Sequence, residues 1–596
     1  MSRNSLARIE VFETSVKALP LVFFTTLLIL PLASLLYAPF TVTLERGVDV
    51  LEGLSSYPFI NRRPLGEFIV YSTGEPPKLI LSFKDYGVIP NTIIAALIVT
   101  ALATIIGTAV ALILARYTFP GRDAMRIASM IPLLYTPFVN AFVAYKLFGQ
   151  GGILAEVTGE VLGVSISMQG LAGMIMAQVF MFWPIVYINA FASMIQIDPS
   201  VEEQAENLGA RGWTLYKTVT IPLALPGIAS GAALVFIFSM EDLAAPLAFD
   251  VDNVVSIWIV REILAATDIS QVSTETLILA LMLAVSASAW FIAVRRYISL
   301  RQYATAEKGG WKGRRLRRPS PLLLVIIYLL ILPWIIVSAS HQIGVLVYAF
   351  SEDWSGLLPR GFTLSNFSEV LSDERVVRSF RNSFLYASTA SLIIALIAVT
   401  SAYAVERIGG RLSTVIDVLA TIPLAMPGLA VALGILALFG FTVAKGTPLD
   451  PFTNPGLYLV LAYAVRKSPF TTRAAFAGLK HVHKSLEEAA MSLGARRPKV
   501  VKDITLPLIA INVAGGLLIS FVYSVTEVST SITLGGLNED QSPVTYIVYD
   551  YLTGGYGGGM FIHLAAAIVA MLMALQVAAI TFVNLALKQR YAFIGV

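Results

Sequence analysis

The chain has 596 residues, of which 56% are hydrophobic and only 13% are charged. Soluble globular chains carry about 25% charged residues, so this composition excludes an ordinary soluble protein. The net charge of +4 is too small to indicate nucleic acid as a partner, and the lack of cysteine excludes disulfides, cysteine-ligated zinc and iron–sulfur clusters.

Long apolar runs predict an all-α protein that crosses the lipid bilayer many times. A membrane-spanning helix needs about 20 mostly apolar residues. The first run, from Ala18 to Phe40, is too long for the core of a signal peptide and is expected to be a retained helix. Twelve spans are predicted, near residues 18–38, 90–115, 127–149, 169–193, 221–241, 275–297, 320–348, 382–405, 415–440, 456–478, 507–528 and 560–587.

The placement of lysine and arginine predicts the orientation. With the N-terminus inside, 30 of the 42 basic residues fall in inside segments when the inner ends of the spans, including residues 466–478, are counted with the adjoining loops, as expected for cytoplasmic loops. Both termini are therefore predicted to be cytoplasmic. The two large outer loops, residues 39–89 and 351–380, contain turn residues and an alternating stretch from Lys78 to Phe83, which indicate small folded caps.

An internal repeat divides the chain into two halves. Asn91 and Asn382 open matching spans 291 residues apart, and Gly209 matches Gly494 at an offset of 285. Six spans per half predict parallel pseudo-repeats with a pathway at their interface. The predicted organisation is a first half at 1–298, with an extra N-terminal helix, the loop 39–89 and a core at 90–297, then a cytoplasmic basic linker at 299–319, and a second half at 320–596 with a core at 382–587.

A short helix is predicted in the cytoplasmic loop after the fourth span of each half. Residues 200–211 read Ser-Val-Glu-Glu-Gln-Ala-Glu-Asn-Leu-Gly-Ala-Arg, and residues 485–496 read Ser-Leu-Glu-Glu-Ala-Ala-Met-Ser-Leu-Gly-Ala-Arg. Ser200 with Glu203, like Ser485 with Glu488, predicts a capping box at the helix start. A glycine nine residues after each serine is expected to end the helix, because glycine tolerates the left-handed conformation.

Each of these helices carries a narrow stripe of small and apolar side chains. The stripe is expected to consist of Val201, Ala205 and Leu208 in the first copy, and of Leu486, Ala490 and Leu493 in the second. Since a two-turn helix is marginal in water alone, a partner surface should cover the stripe. A helix lying on the membrane surface is the weaker alternative, because such helices carry large apolar anchors.

The pattern resembles the Glu-Ala-Ala loop of ABC-importer permeases, Glu-Ala-Ala-x-x-x-Gly with a downstream proline. The matching segments are Glu203-Gln204-Ala205…Gly209 and Glu488-Ala489-Ala490…Gly494, and the resemblance covers about residues 90–297 and 382–587. It implies the type I importer permease fold, with a coupling helix in each loop that seats on an ATPase. The ATPase-coupling residues would be Ser200, Glu203, Ala205, Leu208, Gly209, Ser485, Glu488, Ala489, Ala490, Leu493 and Gly494. Gln204 departs from the pattern and makes the two seats unequal.

The same resemblance implies partners and a mechanism. An ABC ATPase homodimer would bind ATP and magnesium, a binding protein outside would deliver substrate, and the permease of a prokaryotic cell membrane would work by alternating access. No Gly-x-x-x-x-Gly-Lys-Ser/Thr occurs in the chain, so it is predicted to hold no cofactor and to be a transporter subunit, not an enzyme. The alternatives are an ion-gradient-driven secondary transporter of six-plus-six topology and a maltose-type sugar permease.

Charged and polar residues near the end of the fifth span of each half are candidates for the substrate pathway. They are Glu241, Asp242, Glu527, Ser529 and Thr530, because intramembrane charges are functional candidates by default. Glu241 and Glu527 lie 286 residues apart, close to the repeat offset, and as a matched pair would favour a cationic substrate. An equally weighted alternative is that they lie at the water interface and end the helix. The surrounding segments resemble fused permeases of the ferric-iron, thiamine and polyamine group, which implies ferric iron, thiamine or a similar small solute.

No metal site is predicted. His481 and His483 are two residues apart and would point to different sides of a helix. They are flanked by lysines, which favours a solvated loop over a ligand pair.

Overall fold

The computed structural model describes residues 3–37, 53–74, 76–133, 137–301, 316–354, 356–554 and 561–586. Most of the predicted linker at 299–319, part of the outer loop at 39–89 and residues 587–596 lie outside the described residues. The described part of the chain is mainly helical and contains two small sheets.

The α-helices of the first half line up with most of its predicted spans. They are α1 (Arg3–Phe24), α2 (Val88–Arg116), α3 (Arg122–Ala128), α4 (Pro137–Phe148), α5 (Ile153–Leu162), α6 (Gly170–Ile195), α7 (Pro199–Asn207), α8 (Trp213–Leu215), α9 (Ile221–Glu241), α10 (Ala244–Ala248), α11 (Val255–Ala265) and α12 (Thr274–Arg301).

The second half repeats much of this order. Its α-helices are α13 (Pro321–Ile326), α14 (Leu332–Phe350), α15 (Ser365–Ser372), α16 (Glu374–Tyr403), α17 (Arg411–Leu419), α18 (Gly428–Ile435), α19 (Pro455–His481), α20 (Lys484–Ser492), α21 (Arg497–Val500), α22 (Leu506–Val525), α23 (Ser529–Gly535), α24 (Val544–Thr553) and α25 (Ile562–Ala586). Single π-helical turns join several neighbouring helices into one run, as at Tyr216–Thr220 and Val501–Thr505.

Nine helical runs in the described residues are long and apolar enough to cross a membrane. They are Val11–Tyr37, Val88–Arg116, Gly170–Ile195, Trp213–Glu241, Thr274–Ala293, Pro321–Phe350, Glu374–Ile408, Arg497–Val525 and Ile562–Phe582. Each coincides with one of the twelve predicted spans. The tenth predicted span is the 27-residue helix α19, which is long enough but contains Arg466, Lys467 and Arg473 and is therefore less apolar.

The third predicted span of each half is broken. In place of one helix at 127–149, α3 and α4 are separated by a short 3-10 turn that contains Pro132. In place of one helix at 415–440, the chain bends by 109° just before α18, where Pro427 precedes the helix. Proline cannot donate a backbone hydrogen bond and disfavours the helical conformation of the residue before it. The prediction of twelve spans in two six-helix repeats is therefore not confirmed.

Four of the five strands lie in the loops where folded caps are predicted, and the fifth joins the first sheet from another loop. Strand β1 (Ile69–Ser72) pairs antiparallel with β2 (Lys78–Leu81), and β2 pairs in parallel with β3 (Ser165–Met168), which lies between α5 and α6. Strands β4 (Ser351–Asp353) and β5 (Arg360–Phe362) form an antiparallel pair. Both loops therefore contain folded structure. The described part of the chain has five short strands in addition to its helices.

The packing follows the repeat. Helices α2, α6 and α9 pack against one another in the first half, and α16, α19 and α22 do so in the second. Pro184 inside α6 and Pro469 inside α19 are 285 residues apart, which is the offset that also relates Gly209 to Gly494. Positions in α6 and α19 can therefore be compared one by one.

The first membrane helix of each half packs against the other half. The Nζ atom of Lys17, on α1, donates a hydrogen bond to the carbonyl oxygen of Gly409 at 2.9 Å. In the reverse direction, Trp183 of α6 donates through Nε1 to the hydroxyl of Ser338, on α14, at 2.8 Å. The two halves are consequently interlocked.

Candidate functional site

The helices α7 and α20, called the loop helices below, are the two predicted in the cytoplasmic loops. The first begins directly after Asp198, whose carboxylate accepts a hydrogen bond from the backbone N–H of Ser200 at 2.9 Å. The second begins after His483 and has no side-chain cap; the hydroxyl of Ser485 lies 3.0 Å from Nδ1 of that histidine. Both predicted capping boxes are therefore wrong, because each helix starts one residue before its serine.

The ends of the loop helices agree with the prediction. Gly209 and Gly494 have φ values of +93° and +91°. The amide one residue beyond each glycine donates to the carbonyl of Ala205 or Ala490, at 2.9 and 3.0 Å. This is the Schellman arrangement, which satisfies carbonyls left without a partner at a helix end. A Cβ atom at either glycine would meet nothing within 4 Å, so the requirement for glycine is conformational.

Each loop helix leaves a row of side chains exposed on the protein surface. Leu208 is 90% exposed and Leu493 is 91% exposed, although leucine is usually buried. Ala205 and Ala490 are half-buried, so only the middle member of each expected stripe differs, and the residue before it is exposed instead. The exposed rows are Val201, Gln204 and Leu208 in α7, and Leu486, Ala489 and Leu493 in α20; the motif glutamates Glu203 and Glu488 are also exposed.

A buried ion pair fastens each loop helix to the helix bundle. The Oε1 atom of Glu202 lies 2.9 Å from Nη2 of Arg116, at the end of α2, and accepts from Thr220 at 2.7 Å. The second half repeats this arrangement with Glu487, Arg407 and Thr505, at 2.9 and 3.0 Å. Sequence analysis did not single out these glutamates. Two signals were available. Glu202 and Glu487 each directly precede a motif glutamate, and the two glutamates are 285 residues apart, as are Thr220 and Thr505.

A cavity of about 210 Å³ lies between the two halves. Helices α6 and α9 line it from the first half and α19 and α22 line it from the second. Most of its wall is apolar and includes the rings of Phe182, Phe238, Phe470 and Tyr523. Its charged residues are Glu241, Arg466, Lys467 and Glu527.

Arg466 connects carboxylates from the two halves. Its guanidinium forms ion pairs with Glu527 and, at 3.3 Å, with Glu241 of the first half. The other oxygen of Glu241 accepts a hydrogen bond from the backbone N–H of Gly428 at 2.5 Å, across the interface. Glu241 and Glu527 are only 7% and 4% exposed. Glu241 is the last residue of α9 and Glu527 follows α22, so both lie at a helix end as the alternative states, but they are buried and paired and do not form a free carboxylate pair for a cation.

The positional counterpart of Glu527 is Asp242, not Glu241. Their numbers differ by 285, and both residues cap the short helix that follows. Asp242 accepts from the backbone N–H groups of Ala244 and Ala245 at 3.1 and 3.2 Å. Glu527 accepts in the same way from Thr530 and Ser531, at 3.1 and 2.9 Å. Of the remaining predicted pathway residues, Ser529 lines the cavity and Thr530 is buried beside Glu527.

Comparison with known proteins identifies two copies of one family. Residues 107–301 and 391–592 match the family described as "Binding-protein-dependent transport system inner membrane component". The chain is 27% identical over 477 residues to the ferric transport system permease protein FbpB of Actinobacillus pleuropneumoniae, covering 79% of this chain and 67% of the relative. It is 27% identical over 453 residues to the putative ferric transport system permease protein FbpB 1 of Haemophilus influenzae, covering 75% and 70%. A solved bacterial ABC transporter involved in alginate import aligns with a TM-score of 0.32 and 15% identity, over 46% of this chain and 99% of that one.

Proposed function

Because the chain belongs to the family of binding-protein-dependent transport system inner-membrane components, we propose that the cavity between its halves is the substrate pathway of an ATP-driven importer. Family membership makes the chain a multi-pass permease subunit and not an enzyme, with ATP hydrolysed by a partner ATPase. In the proposed arrangement both termini are cytoplasmic and a substrate-binding protein docks on the outer side.

The loop helices are the proposed docking sites for the ATPase. The observation that carries this proposal is the pair of leucines, Leu208 and Leu493, exposed at matching positions on two helices with the same glycine ending. A large apolar side chain that remains in water at both copies of a repeat is expected to be covered by a partner. Two similar seats fit an ATPase homodimer, with one subunit on each helix.

The buried ion pairs support a mechanism of alternating access. Because Glu202 joins the first loop helix to Arg116 at the end of α2, a displacement of that loop helix would be transmitted to the bundle. Glu487 and Arg407 provide the same connection in the second half. Closure of the ATPase dimer would draw the loop helices together and tilt the halves, which opens the cavity to the other side.

Ferric iron is the substrate that the comparisons favour. The two relatives that align with most of this chain are named as ferric transport permeases, and the residues around Glu241 and Glu527 resemble those of the fused iron and thiamine group. The alternative substrates are thiamine and, as in maltose-type permeases, a sugar. The transport assay should compare their uptake with that of ferric iron.

The test combines docking and uptake. We expect Leu208→Asp with Leu493→Asp to abolish co-purification of the ATPase without unfolding the chain, because both side chains lie in solvent. The matched control is Leu162→Asp with Leu358→Asp, two leucines exposed outside the loop helices, which should leave the complex intact. Iron uptake into proteoliposomes should require ATP, the ATPase and the binding protein. Uptake by the chain alone would identify a secondary transporter.

A further inference from the structure

The carboxylates that face the cavity are already engaged. One oxygen of Glu527 accepts from Arg466, from the backbone N–H of Thr530 and from its hydroxyl, and the other accepts from the backbone and the hydroxyl of Ser531. One oxygen of Glu241 pairs with Arg466 and the other accepts from Gly428. A cation entering the cavity would have to displace the guanidinium before it met either carboxylate.

Hydrogen-bond donors remain available on the same wall. Lys467 lines the cavity next to Arg466, and among the described residues no hydrogen bond or ion pair involves its ammonium group. The hydroxyls of Tyr523 and Ser529 also line the cavity and have no hydrogen-bond partner in the described part of the chain. An ammonium group offers three N–H donors and a hydroxyl offers one. The unused groups of this wall thus favour an acceptor.

The positive charge of the cavity comes from one half alone. At the offset of 285, Arg466 and Lys467 of α19 correspond to Met181 and Phe182 of α6, which line the same cavity. Because the first half folds with apolar residues at these positions, the fold of the second half does not by itself require Arg466 and Lys467. Arg466 is in direct contact with its two carboxylates, whereas Lys467 is attracted to Glu527 and Glu241 only at longer range. An ammonium group against an apolar wall is costly when no counter-charge is in direct contact with it.

We propose that Lys467, with the hydroxyls of Tyr523 and Ser529, forms an oxyanion-binding site in the pathway. The substrate would then cross as an oxygen-rich anion, either a free oxyanion or a metal ion complexed by anionic oxygen ligands. A charge-assisted N–H···O bond is stronger than a neutral one, and the aromatic walls lower the local dielectric and strengthen it further. The assignment rests on the proposed function insofar as this cavity is the pathway.

The experiment measures binding to the full chain in lipid nanodiscs, without ATPase or binding protein. Isothermal titration calorimetry with sulfate, phosphate and citrate, in a chloride background, should detect at least one ligand. We expect Lys467→Met to raise its dissociation constant by about tenfold or more, because one charge-assisted bond is lost. Lys467→Arg should bind within about threefold of the wild type, since a charged N–H donor is retained. Lys78→Met, an exposed lysine on β2, is the matched control and should not change binding.

The ligands distinguish the two forms of substrate. Tighter binding of citrate points to a complexed metal ion, whereas tighter binding of sulfate or phosphate points to a free oxyanion. If Lys467→Met does not fold, Ser529→Asp places a carboxylate in the same cavity and should abolish binding. The proposal is overturned if the wild type binds none of the three anions, if Lys467→Met leaves their affinity unchanged, or if Ser529→Asp still binds them. Because no ATPase is present, any of these results leaves the uptake test of the proposed function unaffected.

Discussion

The described residues contain buried ion pairs of two kinds, which differ in what they connect. The pairs Arg116–Glu202 and Arg407–Glu487 each lie within one half and join a loop helix to the bundle. Arg466 instead joins carboxylates of both halves beside the cavity. Taking charges out of water is costly, so each group depends on its partner. A substitution that removes only one partner should therefore be more harmful than removal of both.

Arg407→Met tests this expectation. The substitution leaves Glu487 buried without its charged partner and should lower the free energy of unfolding by about 3–5 kcal/mol. The double variant Arg407→Met with Glu487→Met should recover a large part of the loss. Thermal unfolding of the chain in nanodiscs provides the measurement. Lys480→Met is the control, because Lys480 forms only an exposed pair with Glu406 at 3.8 Å, and such pairs contribute about 1 kcal/mol or less. A double variant no more stable than the single one would contradict the argument.

At the scale of elements, the two loop helices share their endings and anchors but differ in the middle of the exposed row. Gln204 occupies this position in α7 and Ala489 in α20. A small residue allows close approach of a partner surface, whereas glutamine needs more room. The two loop helices should therefore fit the equivalent seats of an ATPase homodimer unequally.

Exchange of these residues tests the difference. Ala489→Gln should weaken ATPase binding by about 1–3 kcal/mol, because a larger side chain overpacks a fitted contact. Gln204→Ala should weaken it less, since shortening the side chain introduces no clash. Both positions are exposed, so neither change should alter the unfolding temperature of the free chain. Affinity is measured by titrating the ATPase onto nanodisc-bound permease, and equal losses for the two variants would show that the two loop helices fit equally.

At the scale of the whole molecule, ion pairs connect the two halves in addition to the packing of their first helices. The segment leading into α13 places Arg317 in an ion pair with Glu206, on the first loop helix. Glu13 of α1 forms an ion pair with Arg497, just beyond the second loop helix. Each half therefore touches the loop-helix region of the other half through its own first segment.

A split chain tests the strength of these connections. Residues 1–309 and 310–596, co-expressed as separate chains, should co-purify through a tag on either one, because α1 and α14 each pack against the opposite half. Removal of residues 1–37 from the first fragment should reduce the recovery of the second. Size-exclusion chromatography is the readout, and full separation of the intact fragments would show that the covalent linker is essential for association.

The sequence by itself determined the features that depend on composition or on neighbours within a turn or two. Apolar runs located nine helices that the structure contains, and the constant offset of 285 aligned the two halves. Gly209 and Gly494 marked the helix ends correctly, because only the local backbone conformation decides them. The Glu-Ala-Ala pattern and the lack of a nucleotide-binding loop indicated a permease that depends on a separate ATPase.

Two features that the prediction missed are also local: Asp198 replaces Ser200 as the helix cap, and prolines interrupt two spans that hydropathy alone joins. Tertiary structure decided the rest. The charge of the cavity could not be inferred from Glu241 and Glu527, because their partner Arg466 is 225 residues from one and 61 from the other. Contacts over such separations depend on how the two halves pack, and no local pattern records them. For the same reason only the folded chain reveals that its first helix belongs to the surface of the other half.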